Sequence, residues 1–205
     1  MKEWDVSARK VTRQAAFALG CFVLIQLVGV RSAGAESPRK VQGFEVLGTL
    51  GYGVAVGDVR WNYRGQHLAI DPYGVMLGLD IGYTLPFGLR IGADASHGFG
   101  RTIETTLPTG EAVAVHSSSF AWGGSVGYDL LLSSFRLRGA AEAGLVFVDV
   151  EDRPGAMYYI GPSVALIWQY RDLELGLQSK YWKTSDDGPG NTGFVQVGHM
   201  SGARF

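Results

Sequence analysis

One cysteine and four histidines are all the chain offers of the two residue types that most often build metal centres and covalent catalysts. Cys21 lies inside an apolar run near the N-terminus. Lipidation there would call for a leucine three residues earlier, where Ala18 stands. Cys21 is therefore expected to leave with the run, so the mature chain has no disulfide, no thiolate ligand and no cysteine nucleophile. His67, His97, His116 and His199 show no metal-ligand spacing. Charge is also scarce: Asp, Glu, Lys and Arg make up 18% of residues, against about a quarter in an average domain, and the formal net charge is -1. With no basic patch, nucleic acid is excluded as a partner. No apolar run is long enough for a comfortable spanning helix, and no helical apolar period appears after residue 30. A phosphate-cradling glycine loop and a nucleophile elbow are both missing.

The longest apolar run, Ala15 to Val30, follows the basic residues Lys2, Arg9, Lys10 and Arg13 and precedes Ser-Ala-Gly-Ala, with Ala33 and Ala35 at small-residue cleavage positions. Residues 1–35 are thus expected to be a signal peptide that is removed. The remaining chain has 13 basic and 17 acidic residues.

Glycine is what the sequence has in abundance, 30 of 205 residues, together with aromatics at 12%. The pattern is clearest from Tyr73 to His97. Tyr73, Val75, Leu77, Leu79, Ile81 and Tyr83 alternate with Gly74, Met76, Gly78, Asp80 and Gly82. After Thr-Leu-Pro-Phe-Gly, Leu89, Ile91, Ala93 and Ala95 alternate with Arg90, Gly92, Asp94 and Ser96. A period of two gives a hairpin with one apolar face and one face of glycine and charge. Aromatic ends and an aliphatic middle on one face, small and ionic groups on the other, suit a strand between lipid and a barrel lumen. Tyr73 and Tyr83 are expected at the two ends of the lipid face.

The same dyad recurs in strands at about 44–56, 118–131, 135–148, 158–170, from 173 and from 193, which makes eight with the hairpin. Their connections alternate. Those at 84–88, 132–134 and 171–172 are short; those at 58–72, 99–116, 149–157 and 183–192 are longer and polar. An up-and-down barrel in an outer membrane has short turns on the periplasmic side and longer loops outside, and an even strand number puts both termini on the periplasmic side. The expected fold class is all-β, an eight-stranded antiparallel up-and-down transmembrane β-barrel.

The chain ends Ser-Gly-Ala-Arg-Phe. A signal peptide, eight dyad-patterned strands and a terminal aromatic preceded by Arg resemble the small eight-stranded outer-membrane barrels of the OmpA and OmpX kind. The resemblance is architectural and covers residues 44–205. It implies a short periplasmic lead at 36–43, a location in the bacterial outer membrane, and Phe205 as the C-terminal insertion signal read by the barrel-insertion machinery. Counting back by twos from Phe205 gives Ala203, Ser201, His199 and Val197, a poorly apolar set. A bulge near Gly198 or Gly202 that brings Met200 to the lipid face is expected to repair it.

Eight strands leave room inside only for side chains or one small ligand. The inward set contains Glu45, Asp80, Asp94, Asp129, Glu142 and Glu174 with Arg90, Arg136, Arg138 and Lys180. Such ions must pair, because an isolated buried charge is far too costly. They are expected to form a lumen ion network, either as a plug or as the lining of a narrow pore.

Three function classes follow: a structural or surface-interaction protein working through its outer loops, a small-solute pore, and a lipid A-modifying hydrolase. Trp61, Tyr63 and His67 in the first long loop are the contact candidates for a partner or lipopolysaccharide. The lipid A deacylase family carries a His-x-Ser pair and a downstream acid. His116-Ser117-Ser118 followed by Asp129 matches it loosely, as does His199-Met200-Ser201 without an acid. Asp129 is expected at the far end of the strand from His116, roughly 35 Å away at about 3.3 Å per residue. The expectation is therefore a monomer with no enzyme activity, no catalytic or metal residues and no cofactor, its partners being membrane lipid, lipopolysaccharide and the insertion machinery.

Overall fold

The computed structural model describes residues 42–57, 59–63, 66–107, 109–132, 135–151, 153–185 and 193–205. The expected signal peptide and nearly all of the expected lead lie outside the described residues. Eight strands close into a barrel: β1 Gly43–Val56, β4 Gly74–Thr84, β5 Leu89–Phe99, β8 Ser117–Leu132, β9 Phe135–Val150, β10 Arg153–Tyr170, β11 Leu173–Thr184 and β12 Gly193–Arg204. Two small hairpins occupy the first two long connections. They are β2 Val59–Tyr63 with β3 Gln66–Ile70, and β6 Ile103–Thr106 with β7 Ala112–Val115.

Each barrel strand pairs antiparallel with its neighbours in sequence, and β12 returns to β1. At this seam the Phe44 amide donates to the Phe205 carbonyl at 3.1 Å, and the Phe205 amide donates to the Phe44 carbonyl at 2.7 Å. Closure leaves the barrel without an edge strand, every strand pairing on both sides along most of its length. "Lower" below means the end with the termini and short turns, and "upper" the end with the hairpins.

The barrel is inverted relative to a water-soluble one. Outward positions are large and apolar, with Ile160 64% exposed, Leu177 63% and Ile91 58%. Inward, Glu45, Arg136 and Glu174 are 0% exposed. Exposed aromatics form two rings. Phe44, Tyr83, Tyr128, Phe135, Trp168 and Tyr170 lie at the lower end, and Tyr52, Phe120, Trp122, Phe147, Tyr158 and Tyr181 toward the upper. On β8 the rings are eight residues apart, about 27 Å along the strand and about 20 Å along a barrel axis tilted by about 40°. That is close to the ~25 Å apolar band of a membrane barrel.

Four local expectations are corrected. Tyr73 is buried, because Gly74 takes a left-handed φ of 56° and breaks the period of two, turning the Tyr73 ring inward against Phe194. The third upper connection is short: β10 begins at Arg153, and only residues 151 and 152 separate it from β9. Pro154 and Gly155 thus continue a strand, opposite Asp149 and Val148. The last strand has no bulge. Its ladders to β1 and β11 run without a break, so Met200 faces in and His199 faces out. The long connections at 58–72 and 99–116 are largely strand rather than irregular loop.

Candidate functional site in the barrel interior

The interior is filled in three layers. In the lower layer four arginines meet four carboxylates. Arg90 reaches Glu45 at 2.5 Å, pairs with Asp80 and donates to Ser125 Oγ at 3.0 Å. Arg136 Nη2 lies 2.9 Å from both Glu45 and Glu174, and its Nη1 is 3.1 Å from Asp129. Arg138 Nε donates to Asp129 Oδ1 at 2.8 Å, and its other end pairs with Glu45. Arg204 spans Glu45 at 2.8 Å, Glu174 at 2.9 Å and Asp129 at 3.4 Å. Thr84 adds a hydroxyl donated to Asp129 Oδ2 at 3.3 Å. Glycine makes this possible, since a Cβ at Gly82 or Gly92 would collide with the Arg90 guanidinium. Charge-assisted, multiply shared pairs of this kind offset part of the desolvation cost that isolated ions would carry.

Above this, Lys180 sits 3.0 Å from Glu142 and 3.4 Å from Asp94. Trp182 donates its indole N–H to Glu142 at 2.9 Å, and the Lys180 ammonium lies 5.3 Å from the Trp182 ring centre. On one side of the wall Leu47, Ala165, Ile167 and Met200 form a small apolar cluster. The upper layer is aromatic. Tyr73 stacks on Phe194 at 4.2 Å, Phe194 lies 4.9 Å from Trp182, and Trp182 stacks on Tyr159 at 4.0 Å. Met76, Val146, Val148 and Val150 surround this stack, and Leu68 and Ile70 from β3 with Leu107 and Val115 from the second connection complete the cluster from above.

All ten residues proposed from the sequence for the lumen therefore stand in the interior. They fall into two groups: seven in the lower layer, and Asp94, Glu142 and Lys180 above. Arg204 was not among them, although it bridges three strands. Parity could have found it, since an outward Phe205 puts Arg204 inward. The aromatic stack had no signal in the dyad pattern, because it depends on which inward residues face each other across the lumen.

Trp61, Tyr63 and His67 stand on the β2–β3 hairpin, where Trp61 pairs with Leu68 and Asn62 with His67. The side chains of Trp61, Tyr63 and His67 lie outside the described residues, as does the acidic stretch at 186–187. His116 and Asp129 are at opposite ends of β8, and Asp129 belongs to the lower ion network. His116 Nδ1 is 2.8 Å from Thr102 Oγ1, and its backbone amide donates to Glu151 at 2.8 Å. No carboxylate is bonded to its ring among the described residues. His199 lies outward between Leu50 and Leu177. Among the described residues no three His, Cys, Asp or Glu side chains are grouped to hold a metal ion.

No family model matches the chain, and no curated protein matches it in sequence. Solved structures do resemble it. Neisserial surface protein A aligns with a TM-score of 0.58 at 12% identity, covering 80% of this chain and 97% of that one. The fold is that of the small eight-stranded outer-membrane barrels. Ail of Yersinia pestis, crystallised with the heparin analogue sucrose octasulfate, aligns at 0.47 with 13% identity, over 80% of this chain and 99% of that one. The N-terminal β-barrel domain of Pseudomonas aeruginosa OprF aligns at 0.41 with 14% identity, over 80% and 98%. At these identities the likeness is one of fold.

Proposed function

We propose that the chain is a monomeric integral protein of a bacterial outer membrane, with both termini periplasmic, whose barrel is an anchor and whose specific role is structural or surface-interacting. The observation that carries this is the inverted polarity: a continuous apolar outer belt between aromatic rings, around an interior of paired ions. Water would not tolerate so large a continuous apolar surface on a monomer, whereas a bilayer requires it. The β2–β3 and β6–β7 hairpins lie at the end that faces outward in this orientation, and β2–β3 carries Trp61, Tyr63 and His67 as contact candidates for lipopolysaccharide or a partner surface. Phe205 serves as the insertion signal in this reading, a role supported by its place at the seam.

The deciding experiment is gel electrophoresis of outer-membrane fractions in SDS, heated and unheated. A closed barrel migrates faster until boiled. A single unshifted band, with the protein soluble in the periplasm, overturns the proposal.

The two rival functions find less support. A pore needs a continuous aqueous path, and the aromatic layer with its apolar surround crosses the lumen above the ions. A lipid hydrolase needs its base oriented by an acid, and the His116 ring faces a threonine. Enzyme activity, cofactor and metal are accordingly left out of the proposed role.

A further inference from the structure

The two ionic layers differ in charge balance. Among the described residues the lower layer sets Arg90, Arg136, Arg138 and Arg204 against four carboxylates. Among the described residues the layer above sets only Lys180 against Asp94 and Glu142, one negative charge in excess. Burying a carboxylate without a counter-charge is among the costliest things a fold can do.

The same place holds unpartnered oxygens. Lys180 engages Asp94 through Oδ2, leaving Asp94 Oδ1 buried without a hydrogen-bond partner. Ser96 Oγ and the Tyr159 hydroxyl are in the same condition, and all three residues are more than nine-tenths buried. Register brings them together. Asp94 on β5 faces Gly123 on β8, and Gly123 faces Gly144 on β9. Tyr159, paired with Gly144, lays its ring over both glycines, so that a Cβ at Gly123 would collide with the Tyr159 hydroxyl. That hydroxyl therefore ends over Gly123, the residue opposite Asp94. Ser96 lies two residues along on the same inward face of β5, opposite Ala121. Cross-strand neighbours on one face of a sheet have Cβ atoms about 4.5–8 Å apart, within the reach of side chains that converge on one point.

We propose that Asp94 Oδ1, Ser96 Oγ and the Tyr159 hydroxyl bind a monovalent alkali cation, of which sodium is the representative, inside the barrel. One positive charge neutralises this layer, and an all-oxygen ligand set of one carboxylate and two hydroxyls suits a hard cation of low charge. Sodium is then a structural component of the folded barrel. Because it binds the folded state only, it multiplies the folding constant by one plus the ratio of its concentration to its Kd, about a hundredfold at a hundredfold excess over its Kd.

The test is the urea unfolding midpoint of the detergent-solubilised protein, followed by tryptophan fluorescence. It is measured in sodium chloride and in N-methyl-D-glucamine chloride at equal ionic strength. The wild type is expected to unfold at higher urea in sodium. Asp94→Asn removes the charge and is expected to show the same midpoint in both salts. Ser96→Ala, a milder change, keeps the barrel folded and shows a reduced sodium shift if Asp94→Asn fails to fold. Equal midpoints for the wild type in the two salts overturn the proposal and assign the neutralising role to a proton on Asp94. A sodium shift of undiminished size in the variants overturns it as well.

Discussion

Arg204 concentrates the energetics of the lower layer in one side chain. It stands one residue from the C-terminus, yet it pairs with Glu45 on β1 and Glu174 on β11, tying both neighbours of β12 to it. Removing one partner of a buried network leaves the others uncompensated, which costs about 3–5 kcal/mol. Arg204→Ala is therefore expected to lose stability of that order in urea unfolding from lipid vesicles, while Arg204→Lys, with one donor head in place of a fork, recovers only part of it. In the upper layer Trp182 is fully buried between Tyr159 and Phe194 and also donates to Glu142. Trp182→Phe keeps most of the ring packing and leaves Glu142 short of a donor. A loss of about 1–3 kcal/mol is expected in the same assay.

At the scale of the element, Gly74 and the β2–β3 hairpin decide how the upper end is closed. Gly74 adopts φ 56°, and a Cβ there would also collide with the Phe99 carbonyl. Gly74→Ala is expected to destabilise by more than about 1 kcal/mol. It should also alter the near-ultraviolet circular dichroism, because Tyr73 then loses its place on Phe194. The hairpin contributes Leu68 and Ile70 to the upper cluster. Replacing residues 59–70 by a short Gly-Ser linker is expected to leave a heat-modifiable barrel that is less stable by at most about 3–6 kcal/mol, from two apolar side chains no longer buried. A barrel that fails to form after this replacement would show that the hairpin takes part in folding the wall itself.

For the whole molecule the informative quantity is which solvent meets the outer wall. Val164 lies outward near the middle of β10, 53% exposed. If lipid surrounds it, Val164→Arg costs about 2–4 kcal/mol in unfolding from vesicles, as charges on a membrane barrel's midplane do. In water the same exposed substitution would be close to neutral. Conductance in planar bilayers belongs to this scale too. The layered interior leads to the expectation of no steady channel for the wild type, and well-resolved single-channel steps would revive the pore reading.

Eight strands were legible because the wall of a barrel is written locally. A period of two, bounded by turns, places Leu89, Ile91 and Ala93 on one face and Arg90, Gly92 and Asp94 on the other, whatever the partner strand is. The same parity places the ten interior ions inside. What the sequence could not determine is who meets whom. Arg136 on β9 reaching Glu45 on β1 is a contact across the lumen, set by barrel closure and strand register rather than by spacing along the chain. The turn inward of Tyr73 depends on a single left-handed glycine, and the short third connection depends on Pro154 finding a place opposite Asp149. The unbroken last strand follows from two continuous ladders that leave no residue over for a bulge, so Met200 packs inside with Leu47 although lipid would have accepted it. Alternation along one strand decides the face. The partners across the lumen, and with them the charge balance of each layer, exist only once the eighth strand has met the first.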